Sequence, residues 1–86
     1  MLNKIKADLY KLEQLEEIAN NAEADYQREP ENKEAECAFD LAYKNQFNMF
    51  LKVSNEIAEL TGMSVKVARQ IVNSKRDEMK KFLEQN

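Results

Sequence analysis

Glu13, Glu16, Glu17, Glu29, Glu31, Glu34 and Glu36 form the densest group of chemically capable side chains in this 86-residue sequence. Paired carboxylates can act as general acid and base. Those uses normally draw on partners that this chain lacks. It contains no histidine, which removes the commonest general base and the commonest transition-metal ligand. Cys37 is the only cysteine, so a zinc site built on Cys and His ligands cannot form within one chain. Di-iron carboxylate bundles combine Glu with Glu-x-x-His, a motif that cannot occur here. Gly62 is the only glycine, so no glycine-rich loop is present to cradle a phosphate. Solvated surface charge is the ordinary state of such glutamates. The composition points to a non-enzymatic protein with no cofactor, no metal and no small-molecule substrate.

The charge is uneven. Residues 1–61 hold 13 acidic and 7 basic side chains, whereas residues 62–86 hold 3 acidic and 6 basic ones, for a net charge of -3 overall. An acidic body with a basic end makes the basic end the place to look for an anionic partner. Basic residues near a helix C-terminus also complement the helix dipole. A single cysteine forms no internal disulfide, which favours an intracellular, cytoplasmic home. No basic stretch is followed by an apolar core as in a signal peptide, and no apolar run approaches the ~20 residues of a membrane span.

With one proline and one glycine the chain is poor in turn formers, and the expected class is all-α. Leu2, Ile5, Leu9, Leu12, Ala19, Ala22 and Tyr26 recur at spacings of three and four, with Glu16 interrupting, and predict a helix over about 2–28. Pro30 suits the first turn of a second helix, over about 30–61. Its stripe is Ala35, Phe39, Ala42, Gln46, Met49, Val53, Ile57 and Leu60, widened by Tyr43, Phe47, Phe50 and Leu51. Between Phe39 and Val53 the apolar sector passes halfway round, so this helix is expected to be contacted on two sides. Ser54-Asn55 leaves open a fresh N-cap and a break there. Cys37 reads as a small semi-buried residue near Phe39. A third helix, over about 64–84, presents Ala68, Ile71, Val72, Met79, Phe82 and Leu83, with Lys75 snorkelling from that face.

The segment Ile57 to Val72 resembles the helix-turn-helix of bacterial repressors. Ala58 matches the alanine of the family's first helix and Gly62, four residues later, its turn glycine. Met63 matches the apolar residue after the glycine, and Ser64 the serine that caps the recognition helix. Ile57 and Ile71 fall at inward-facing positions. The resemblance implies that the last helix lies in a DNA major groove, with Val65, Lys66, Arg69, Gln70 and Asn73 facing the bases. It further implies that Arg69 pairs with guanine, that Gln70 or Asn73 pairs with adenine, and that Ser64, Lys75 and Arg76 meet phosphate.

The expected architecture is therefore a single all-α domain, an antiparallel helical hairpin of two long helices with a third packed across it, forming a three-helix bundle. The third helix is too short to cover the hairpin. Self-association through Phe39, Tyr43, Phe47, Phe50 and Leu51 is the expected remedy, giving a homodimer or a complex with another protein. The favoured function is a small interaction or regulatory protein. DNA binding through about residues 54–76 is the alternative.

Overall fold

A computed structural model describes residues 2–85 of the chain. They are almost wholly helical, as the composition requires. The first helix, α1 (Leu2–Arg28), carries the apolar stripe along its whole length. The chain then turns and returns as α2 (Lys33–Thr61). Lys52 of α2 lies 3.5 Å from Asp8 of α1, and Tyr26 stacks on Phe39 with ring centroids 5.8 Å apart, so the two helices run antiparallel.

The start of α2 differs from the expectation. Pro30 does not open the helix but sits in the turn before it, and Asn32 is the cap. The Asn32 side chain accepts hydrogen bonds from the backbone N–H groups of Glu34 and Ala35 at 3.0 and 3.3 Å. An Asn side chain satisfies N–H groups that would otherwise lack partners, so the helix begins where that side chain can reach. Glu34 and Glu36 then lie in the first turn, favourably placed on the dipole.

No break occurs at Ser54. Its hydroxyl donates to the Phe50 carbonyl at 2.7 Å, inside one continuous helix. A buried serine that bonds back to the preceding turn satisfies itself without capping anything. Cys37, expected to be semi-buried, is exposed. Two residues before Phe39 is about 200° round the helix, so the thiol faces away from α1.

The largest correction falls after Gly62. The expected third helix is two helices, α3 (Val65–Ser74) and α4 (Arg76–Gln85). Four helices, rather than a three-helix bundle, make up the described chain. Lys75 separates them with φ -126° and ψ 40°, off the helical region, while its N–H still donates to the Ile71 carbonyl. It is thus a C-cap residue rather than a snorkelling member of a helix face. Arg76 turns back at this corner to pair with α1, so α4 lies against α1 instead of continuing along α3.

Gly62 makes the other corner. It has φ 76° and ψ 2°, a left-handed conformation that strains residues with a Cβ, and its N–H donates to the Ala58 carbonyl at 2.9 Å. Two residues later Ser64 caps α3, its hydroxyl accepting from the Val67 N–H at 3.2 Å.

The core sits at one end. Ile5, Leu9 and Leu12 of α1 pack with Val53, Ile57 and Ala58 of α2, Ala68 and Val72 of α3, and Met79 and Leu83 of α4. These residues define a four-helix head. Beyond Glu16 on α1 and before Phe50 on α2, the hairpin continues alone as a two-helix arm, with the small Ala19 and Ala42 buried at its seam. The molecule measures 46 × 22 × 19 Å.

Candidate interaction surfaces

The aromatic stripe is a ladder on the arm. Tyr26 stacks on Phe39, and Phe39, Tyr43, Phe47 and Phe50 follow at centroid separations of 6.3, 6.4 and 6.3 Å. Such offset ring contacts are mildly favourable, but a ladder in water still exposes its faces. Phe50 is half-buried against the head core, and Phe39 and Leu51 are half-buried as well. Tyr43 and Phe47 remain 54% and 44% exposed. The sequence puts four of the five rings in one row on the second helix and Tyr26 on the stripe of the first; that Tyr26 joins the ladder depends on where the turn places α1 against α2.

The ladder continues a face that the head covers. Tyr43, Phe47, Phe50, Ser54 and Ala58 succeed one another at helical spacings of three and four, so they share one side of α2. At the head end, where α3 packs on α2, Ser54 and Ala58 are buried. α3 and α4 are only 10 residues each, and the corner between them stands at Glu16 of α1. The same face then emerges uncovered as Phe47 and Tyr43.

The residues expected to contact DNA divide into two sets. Val65, Lys66, Arg69, Gln70 and Asn73 are all exposed and follow one side of α3, while Ala68 and Val72 on the other side are fully buried. No acidic residue lies within α3, and no carboxylate among the described residues approaches Lys66, Arg69 or Lys75 within 4.0 Å. Ser64 is exposed, with its hydroxyl engaged as the cap.

Arg76 stands apart. Its Nη1 and Nη2 donate to Glu16 Oε1 and Oε2 at 2.5 and 3.0 Å, its Nε donates to the Val72 carbonyl at 2.8 Å, and its side chain is only 17% exposed. Hydrogen bonding to Glu16 raises the guanidinium above its ordinary pKa, against the desolvation that burial imposes. It locks the α3–α4 corner onto α1 and is not available to phosphate. Glu13 supports the same corner, with Lys80 Nζ 2.7 Å from its Oε2. The interruption of the α1 stripe by Glu16 was the visible sign of this contact; its partner, 60 residues away, was not readable.

A second buried polar cluster lies between α1 and α2. Asp8 Oδ2 and Glu56 Oε1 are buried and receive no hydrogen bond. Lys52 Nζ is 3.5 Å from Asp8 and Lys4 Nζ is 4.0 Å from Glu56. Burial, together with the neighbouring Asp8 carboxylate, pushes the Glu56 carboxyl up to about 7, with Lys4 and Lys52 opposing. A proton on Glu56 makes it a donor to Asp8 and satisfies both helices at once.

An open cleft lined by Ile57, Thr61, Met63, Ile71, Lys75, Glu78, Met79 and Phe82 lies between the α2 C-terminus and the α3–α4 pair and has a volume of about 330 Å³. No group of three or more metal-capable side chains comes together among the described residues. No helix among them is long and apolar enough to cross a membrane. Comparison with protein-family models, curated proteins and solved structures yields no match.

Proposed function

We propose that this protein is a non-enzymatic interaction module that associates with itself through the arm and serves an intracellular regulatory role. The observation that carries this reading is the exposed aromatic ladder on a face of α2 that is buried only at the head, where α3 packs on it. Small monomers gain little from large rings held in water, whereas aromatic side chains at the centre of an interface dominate binding energy. A chain of 86 residues also has limited core of its own, and a partner helix pair would enlarge it.

Phe47→Asp tests the reading. The ring is outside the buried core, so helicity and unfolding of the head should change little. The dimer dissociation constant read by sedimentation should rise at least about tenfold, equivalent to 1.4 kcal/mol. A wild-type chain that stays monomeric at several hundred micromolar would remove the proposal.

A second reading, a DNA-binding regulator, is supported by one specific feature: the capped α3 presents Lys66 and Arg69 on an acid-free face just after the left-handed Gly62 turn. Such a reader should bind mixed duplex DNA with steep salt dependence, and Arg69→Ala should weaken it by at least about tenfold. Absence of binding at 20–50 mM salt would sink it.

A further inference from the structure

The arm and the head carry opposite charge. Residues 17–49 hold eight acidic and three basic side chains, and the remainder of the chain holds eight acidic and ten basic ones. Within the head, Lys4, Lys52, Arg76 and Lys80 are already paired with carboxylates, whereas Lys66, Arg69 and Lys75 around α3, like Lys6, Lys11 and Lys81 elsewhere, are not. The molecule is thus a step in shape and a dipole in charge. Its thick end has a basic α3, and its thin end has an acidic tip around Glu31, Glu34 and Glu36.

We propose that the occupant of the arm is a second copy of this chain laid antiparallel across it, so that the acidic tip of each copy meets the basic α3 and its Lys75 corner on the other. The proposal rests on the arm-to-arm association above and specifies its geometry. Two steps related by a two-fold axis are complementary: each arm lies in the space left open where its partner's α3–α4 layer stops. The axis then passes near Tyr43, midway along the uncovered face. A parallel arrangement would instead place acidic tip against acidic tip, which costs energy without compensation. The 18 residues from Lys33 to Phe50 give a face about 27 Å long, and two helices make it about 20 Å wide. The two copies together bury on the order of 1,000 Å², which reaches the lower limit of a specific interface. Aromatic contacts supply the cohesion, and the charges set direction.

The test is charge complementation between two full-length variants. In the tip variant Glu31, Glu34 and Glu36 become Lys; in the head variant Lys66, Arg69 and Lys75 become Glu. All six side chains are exposed, and circular dichroism checks that both variants remain folded. At 50 mM salt each variant alone should dimerise at least about tenfold more weakly than the wild type, because like charges now face each other. Mixed in equal amounts they should form a heterodimer of near wild-type strength, since both ends are then matched. Wild-type affinity should itself fall between 50 and 500 mM salt. Failure of the mixture to restore association overturns the antiparallel arrangement. If Phe47→Asp nevertheless breaks the wild-type dimer, arm-to-arm association survives with another orientation. If wild type never dimerises, both proposals fall.

Discussion

Leu12→Ala should remove about 2–5 kcal/mol of stability, read as a fall in the urea midpoint at constant slope. Leu12 is completely excluded from solvent and is one of ten side chains through which all four helices meet. Removing three carbons there costs both their transfer free energy and the cavity left behind, because the surrounding helices cannot fully close on it. The total stability of a small domain is about 5–15 kcal/mol, so one substitution would consume a large part of it. The control is Leu41→Ala, the same chemical change at a leucine that is 62% exposed on the arm. That change should shift the midpoint by less than about 0.5 kcal/mol. Equal effects at the two positions would mean that the core does not lie at the head.

Stability should fall as pH rises from about 4.5 to 7. The cause is Glu56, whose carboxyl moves from an ordinary 4.5 up to about 7 on folding. Between those values the folded chain binds a proton that the unfolded chain has released, and each pH increment therefore favours unfolding. Below about 4.5 both states are protonated and this cost is absent; above about 7 it is complete. The shift bounds the effect at about 3 kcal/mol. Glu56→Gln presents an amide donor to Asp8 at every pH. It should raise stability at pH 8, give little change at pH 4.5, and flatten the slope between them. Urea unfolding at fixed protein concentration reads this directly. An unchanged slope in the variant would assign the pH dependence to another group.

The long elements were legible because their patterns were regular. The stripe from Leu2 to Tyr26 predicted a helix over about 2–28, and α1 spans Leu2–Arg28. Gly62 followed by Ser64 marked a corner, and the left-handed turn and cap stand there. The Ser74–Lys75 break was invisible because no glycine or proline marks it. Arg76, just past the break, pairs with Glu16 of α1, and ion pairs across 60 residues leave no local signal. Local signals also misplaced Pro30, since an asparagine cap two residues later competes for the helix start. Within the candidate surfaces, periodicity located the rings and the exposed side of α3. It could not reveal that α3 covers only the head end of the ring face, because that depends on where the second layer ends. Nor could it separate the engaged Arg76 from the open Arg69.

Because α2 runs unbroken from arm to head, a single helix belongs to two neighbourhoods of different strength. Around Val53 and Ile57 its backbone opens only when the whole core does, whereas between Lys33 and Tyr43 a local opening disturbs one neighbouring helix. Amide hydrogen exchange along this one helix should therefore form a gradient, slow at the head and fast toward the turn. A partner bound across the arm would slow the fast half alone. The helix would thus record occupancy of the arm in its own backbone protons, with no change of shape required.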